Sequence, residues 1–407
     1  MGNTLKLGNG KWATGKDTVL AFNDLNNNFK PLPFSFSRAS SATVVNQQGL
    51  IETVASGVPR IDFTDANGAL LLESQRTNTI TYSNDFSNGW AYFDSSTVAN
   101  ELISPSGALD ASKFIEGSGS SIKRIINLSQ SIVSGNNYTF SIFAKKGERD
   151  FITLTNSTGA IDVTTTFDLT NGTVTSGSGS IESLTNGWFR CSRSFTAAAT
   201  VTSNYIAQAF INNGSGISYT GDGTSGIYIY GAQIEQGSYA TSYIPTQGSA
   251  VTVVADVCSQ TPPSGIIGQT EGTVYAEVKI NGLKNSNTIV TLHNGSFSEY
   301  LVIAGNLSGN INAYIFAGGV QQAGIFAGIY AVDSFVKCAM AYKQNDVAFY
   351  INGVLIGTDS SATMASTSIF DVGSISFGNY TLQGSVKQAQ LYNTRLSNAE
   401  LIALTTI

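Results

Sequence analysis

The sequence predicts an all-β protein in which an N-terminal connector precedes two antiparallel β-sandwiches. Three observations carry that prediction. Only 12 % of the 407 residues are charged, whereas long solvent-facing helices need Lys and Glu on their outer faces. The 42 glycines separate short apolar runs. Asn-Gly pairs recur at 9–10, 67–68, 88–89, 171–172, 186–187, 213–214, 281–282, 294–295 and 352–353, and both residues of such a pair tolerate the positive φ of tight hairpins. A chain of this length is expected to form two or three domains, each able to bury its own core.

Residues 1–33 are polar and irregular, with Trp12, Phe22 and Phe29 as scattered anchors and Pro31 and Pro33 closing the stretch. Alone, such a segment buries too little apolar area to offset its ordering entropy, so it is expected to dock on a partner or on another copy of the chain. Residues 34–78 follow as a β-rich connector. Residues 79–245 read as the first sandwich. Tyr138, Phe140 and Ile142 alternate there with Thr139, Ser141 and Phe143 before Lys145, Lys146 and Gly147, the pattern of a strand running into a turn. The turn at Asn186 and Gly187 leads into another strand, with Trp188 assigned to the core. Residues 227–235 (IYIYGAQIE) place isoleucines on one face and tyrosines on the other. Residues 236–250 form a linker.

Residues 246–407 read as the second sandwich. Val274, Ala276, Val278 and Ile280 point inward from one strand, and Asn352-Gly353 makes a tight hairpin. Ser397 and Glu400 have the spacing of a capping box that opens a short C-terminal helix.

Several strings resemble known families. Residues 34–43 (FSFSRASSAT), 49–52 (GLIE), 58–62 (VPRID), 68–73 (GALLLE) and 76–78 (RTN) resemble the N-terminal connector of tailed-bacteriophage virion proteins, which precedes β-rich, sugar-binding-like modules. Residues 82–90 (YSNDFSNGW) and the closing strand at 227–235 resemble the carbohydrate-binding jelly rolls of phage fibres, and residues 236–250 (QGSYATSYIPTQGSA) resemble the phage version of the following linker. The C-terminal order of strand, Tyr392-Asn393 and Leu396-Ser397-x-x-Glu400 resembles concanavalin A-like, laminin-G-type domains.

The composition excludes some chemistry. The net charge of −6 argues against nucleic acid, whose phosphates call for a basic groove. Cys191, Cys258 and Cys338 are odd in number and widely spaced, which fits buried thiols rather than a disulfide framework or zinc site. No apolar h-region follows Met1 and no run reaches membrane-span length, so synthesis in a bacterial cytoplasm, without membrane insertion, is expected. The sequons at Asn127, Asn137, Asn306 and Asn379 then reflect composition. Residues 10–16 (GKWATGK) mimic a phosphate-binding loop, but Asp17 replaces the Mg²⁺-ligating hydroxyl and no strand–helix pair frames it.

Catalysis also finds little support. His293, the only histidine, sits where a strand enters a turn and reads as a surface or hairpin-end residue rather than a triad member. Glycosidases need two carboxylates across a cleft, and strand 273–280 offers Glu277 alone. Sugar binding instead uses exposed rings flanked by directed polar groups. The candidates are Trp90, Tyr92, Tyr219, Tyr228 and Tyr230 in the first sandwich, and Tyr300, Tyr314, Tyr330 and Tyr380 in the second. Taken singly, each of these rings better suits a subunit interface or the cover of a sheet edge, because Tyr is enriched at interfaces. Family resemblance also admits a structural Ca²⁺, with Asp85, Asp110 and Asp222 in plausible turns.

The resemblance implies a non-enzymatic virion structural protein, a tail or head fibre. Residues 1–78 would contact other virion proteins, and a homotrimer would present lectin-like domains to host-surface polysaccharide. The alternatives are a glycan-degrading spike with an inter-subunit site using Glu277 or Glu299, and a purely structural capsid or tail component.

Overall fold

The computed structural model describes residues 34–407 apart from 66, 129, 157–162, 205, 263–264, 330–333 and 377–379. It adds the backbone of Leu5–Gly8, Trp12–Gly15, Val19–Asn23 and Phe29–Pro31. The side chains of residues 1–33, including Trp12, Phe22 and Phe29, lie outside the described residues. The backbone pairs Leu5–Gly8 antiparallel with Gly384–Tyr392 of the same chain, so this segment carries strands where the sequence suggests irregular structure.

The chain is built almost wholly from antiparallel strands and divides into two units. The central unit comprises Ala42–Thr53 and Arg76–Val253; the C-terminal unit comprises Met1–Ser41, Val54–Gln75 and Val254–Ile407. The expected connector is therefore shared out rather than standing alone. Ser35–Ser37 pairs with Val257–Gln260, and Ala69–Leu72 pairs with both Arg60–Asp62 and Gly384–Tyr392, inside the sheets of the C-terminal unit. Arg76–Asn78 pairs with Val251–Val253, which carries the end of the central unit beyond residue 245.

The central unit stacks two six-stranded sheets. One runs Trp90–Phe93, Arg124–Asn127, Gln208–Asn212, Phe151–Asn156, Val163–Asp168 and Thr173–Ser176. The other runs Ser95–Ile103, Leu109–Glu116, Gly226–Gln236, Asn137–Lys146, Phe189–Thr196 and Ser180–Ser183. The alternation read in the sequence sets what is buried. Tyr138, Phe140, Ile142, Ile227 and Ile229 enter the main core, while Phe143, Trp188 and Tyr230 pack on the reverse face. Each such side chain stabilises the fold by roughly 1.5–3 kcal/mol. The 236–250 segment is not a free linker: Tyr239, Tyr243 and Ile244 are buried. Asn78 explains part of this. Its Nδ2 donates to the carbonyls of Ala232 and Ile244, and its Oδ1 accepts from the amides of Ile80 and Ile234. A buried amide whose hydrogen bonds are all made fixes the segment in place.

The C-terminal unit pairs a seven-stranded sheet with an eight-stranded one. The first runs Val320–Ile329, Asn310–Ala317, Tyr300–Gly305, Asn287–His293, Ile369–Val372, Val257–Gln260 and Ser35–Ser37. The second includes Glu271–Ile280 between Phe335–Lys343 and Gly384–Tyr392. Val274, Ala276, Val278 and Ile280 face the shared core with Leu301, Ile303 and Phe349. Asn352 and Gly353 take φ of 49° and 79°, the left-handed values of a two-residue hairpin turn. The helix Asn398–Thr405 opens on the expected capping box: Ser397 Oγ accepts from the Glu400 amide, and Glu400 accepts from the Ser397 amide.

Charged residues of the 34–78 motifs meet inside this unit. Arg38 Nη1 donates to Asp256 Oδ1 at 3.1 Å, Arg60 Nη2 donates to Asp256 Oδ2, and Arg60 Nη1 reaches Glu73 Oε2 at 2.8 Å. All four side chains are buried. Arg38 also donates to the Ser40 and Ala55 carbonyls, and Gln383 Nε2 donates to Glu73 Oε1. Two cations and two anions thus satisfy one another away from water, a geometry whose rupture is far more costly than its replacement by apolar groups.

Candidate functional site

Alternation along Tyr300–Gly305 and Asn310–Ala317 places Leu301, Ile303, Ile311, Ala313 and Ile315 in the core, leaving Tyr300, Tyr314 and Phe316 on the opposite face. Register sets Tyr300 against Phe316, and their rings stack with centroids 4.7 Å apart at an interplanar angle of 7°. Phe297, in the preceding turn, stands edge-on to Tyr300 at 6.1 Å and to Tyr380 at 5.9 Å. Phe297 and Tyr380 are 48 % and 45 % exposed. Tyr314 packs edge-on with exposed Phe326 at 5.4 Å. Partial burial pushes the Tyr300 phenol up to about 12, so the ring presents a neutral hydroxyl at physiological pH. The result is a cluster of solvent-facing rings at fixed mutual angles, the surface that an apolar pyranose face or a protein partner can stack on.

The turn bearing Phe297 is held by three polar anchors. Asn294 Oδ1 accepts from the amide and hydroxyl of Ser296. Glu299 accepts from the Gly318 amide at 2.7 Å and the Ser366 amide at 2.9 Å. His293 Nδ1 accepts from the Gly295 amide at 2.9 Å, and its Nε2 lies 2.9 Å from Asp371 Oδ2. His293 is fully buried, contrary to the surface position expected. The backbone donor at Nδ1 places the ring proton on Nε2, which donates to Asp371. Ser376 Oγ is 3.5 Å from that same Nε2, whereas a triad requires serine and carboxylate on different ring nitrogens. His293 therefore positions the turn.

The other sequence candidates fall in different settings. Trp90 is buried, with Nε1 donating to the Tyr82 carbonyl. Tyr230 is buried among Phe143 and Tyr243. Neither offers a ring face to a solute. Half-buried Tyr92 packs on the central core and shares a hydrogen bond with Thr97, and Tyr228 borders the smaller cluster of that unit. Tyr219 donates to Glu116 Oε2 at 2.6 Å, with Lys123 and Arg149 over its ring. Tyr330 lies outside the described residues, as does Asn379. Only Tyr300, Tyr314 and Tyr380 of the nine candidates belong to the exposed cluster. Phe297, Phe316 and Phe326 were missed, although the alternation that carries Tyr314 also carries Phe316.

The acidic candidates have local roles. Glu277 accepts from Gln388 Nε2. Asp85 caps Ser87 and Asn88, and Asp222 caps Thr224 and Ser225. Among the described residues, no three His, Cys, Asp or Glu side chains gather as a metal site. Cys191, Cys258 and Cys338 are buried free thiols. No helix is long and apolar enough to cross a membrane among the described residues.

Residues 259–402 match the family model described as the concanavalin A-like lectin/glucanases superfamily, so the chain carries a concanavalin A-like domain at its C-terminal end. Comparison with curated proteins finds no match. Among solved structures, the chain is similar to the CBM40 of the Ruminococcus gnavus IT-sialidase bound to α2,3-sialyllactose. Identity is 17 %, the match covers 34 % of this chain and 84 % of that one, and the TM-score is 0.32. Domain 4 of the Geobacillus stearothermophilus arabinanase AbnA, in complex with arabinotriose, is 14 % identical over 42 % of this chain and 81 % of that one, with a TM-score of 0.31. The NanB sialidase of Streptococcus pneumoniae is 15 % identical over 35 % of this chain and 25 % of its own length, with a TM-score of 0.31.

Proposed function

We propose that this chain is a non-catalytic glycan-binding protein of a bacteriophage virion, a fibre or appendage that contacts host-surface polysaccharide through its C-terminal unit. The observation that carries the reading is the exposed cluster of Phe297, Tyr300, Phe316 and Tyr380 on a concanavalin A-like domain. The turn that carries Phe297 is pinned by Glu299 and His293, which lowers the ordering cost of binding and favours recognition of a rigid sugar face. Weak individual sites are expected to act through repeated copies, as a homotrimer would supply. The virion assignment is supported by the resemblance of residues 34–78 and 236–250 to phage proteins. The engagement of Glu277, Glu299 and His293 in structural hydrogen bonds favours binding over cleavage.

Purified full-length chain should retain host-surface polysaccharide on a glycan array. A Phe297→Ala/Tyr380→Ala variant should bind roughly tenfold more weakly, as expected for two ring contacts of about 0.5–1.5 kcal/mol each. Undiminished binding by the variant, or release of oligosaccharide by the wild-type chain, would overturn the reading. Antibody labelling of intact particles tests the virion assignment, which fails if particles lack the chain.

A further inference from the structure

The central unit contains a groove of about 720 Å³, within the range of roughly 300–1,000 Å³ that suits small ligands. It opens where the exposed edge strand Ser95–Ile103 and the start of Leu109–Glu116 face residues 83–87 and 245–247. Its wall is acceptor-rich: Asp85, Asn100, Asp110, Ser112, Tyr230 and Gln247 line it, and no Lys, Arg or His does so among the described residues.

One of these groups stands unsatisfied: Asp110 Oδ1 is shielded from bulk water without a hydrogen-bond partner. Leaving a carboxylate oxygen in that condition is costly, and a ligand donating to it removes the cost. Neighbouring groups do not supply the donor. The Tyr243 hydroxyl is bonded to Ser83, and the Asp85 carboxylate is taken by Ser87 and Asn88. Among the described residues, no three His, Cys, Asp or Glu side chains gather there as a metal site.

We infer that this groove is a second ligand site, for a saccharide unit that donates to Asp110 from a hydroxyl or an ammonium group, and that it rejects acidic sugars. A carboxylate-bearing sugar would bring like charge against Asp110 and Asp85 with no cation in the wall to offset it. Asn100 and Gln247, exposed at the rim, supply the remaining donor and acceptor pairs. The site is separate from the aromatic cluster, so either can fail without the other.

The test compares glucosamine, glucose and glucuronic acid, which share a ring and differ in charge, by saturation-transfer NMR and calorimetry on the full chain. The expected order is glucosamine, then glucose, with no binding of glucuronic acid. Asp110→Asn should reduce the preference for glucosamine over glucose, about tenfold, to near parity. Gln247→Ala, at the exposed rim, should weaken both sugars without altering their ratio. Binding of glucuronic acid as tightly as glucose would overturn the inference. So would an unchanged preference in a folded Asp110→Asn variant, no sugar binding at all, or loss of binding on adding a chelator.

Discussion

The two units differ in how the rings outside their main cores are covered. The central unit buries Phe143, Trp188, Tyr230 and Tyr243 in a second cluster and leaves Phe93 exposed. The C-terminal unit buries Tyr275, Tyr350 and Tyr392 with Leu401 of its helix, but leaves Phe297, Phe326 and Tyr380 exposed. Both sandwiches obey the same alternation, so the difference lies in which residues occupy the outward positions. In the central unit that second face is covered by residues 236–250 and the 42–53 hairpin, and its rings become a further core. In the C-terminal unit the outer face bearing Tyr275, Tyr350 and Tyr392 is covered in the same way, whereas the rings beside Tyr300 on the other sheet remain available. The lesson is that an alternating tyrosine signals a second face, while the neighbouring chain decides whether that face is core or surface.

The largest expected effect is in the C-terminal unit. Asp256→Ala strands Arg38 and Arg60 in a buried environment and should cost about 3–5 kcal/mol. Amide exchange should accelerate across Glu271–Ile280 while Asn137–Lys146 in the central unit keeps its protection. Equal loss in both strands would show that the two units do not differ in this way.

The contrast in rings sharpens with a pair of truncations. Trp188→Ala removes a fully buried side chain whose Nε1 donates to the Ile103 carbonyl and should cost about 3 kcal/mol. Phe297→Ala, on the solvent-facing cluster, should change stability by less than about 0.5 kcal/mol. Urea midpoints measured side by side check both values, and comparable losses would mean that the Phe297 cluster is core after all.

The smallest effect is a pH slope confined to the central unit. Burial alone would raise the Glu116 carboxyl, but the bidentate Arg149, the Tyr219 hydroxyl and the Asp222 amide together hold it below the usual range. Its ionised form therefore stabilises the fold above the unfolded value near about 4.3. That contribution is lost as pH falls through the lower native value. Arg149→Leu removes the cation and should flatten the acid-side loss between about pH 5 and pH 3. Tryptophan fluorescence in a Trp12→Phe background follows this unit, because Trp90 and Trp188 both lie within it. An unchanged slope would relieve Glu116 of the role.

What the sequence made legible was local. The Val274–Ile280 face, the Asn352-Gly353 hairpin, the capping box and the burial of Trp188 each follow from residues a few positions apart. Burial of Trp90 and His293 was not legible, because each depends on distant partners: the core around Phe114 and Ile125 for Trp90, and Asp371 for His293. The ion cluster was beyond reach for the same reason. Arg38, Arg60 and Glu73 stood out as motif residues, but their meeting point, Asp256, lies 196 positions beyond Arg60. In the candidate site, the tyrosines were visible by type, whereas their exposure was not.

The interleaving of the two units has a consequence for synthesis. All but one short hairpin of the central unit is contiguous in the chain, from Arg76 to Val253, and sits as an insertion within the C-terminal unit. The strands Arg60–Asp62 and Ala69–Leu72 leave the ribosome early, yet their sheet is completed by Gly384–Tyr392, and Glu73 meets Gln383 across 310 positions. The inserted unit can mature while translation continues, but the other one stays open until Gly384–Tyr392 has been made. A premature stop would thus release a finished central unit flanked by unpaired strand edges, a species prone to pair with its neighbours.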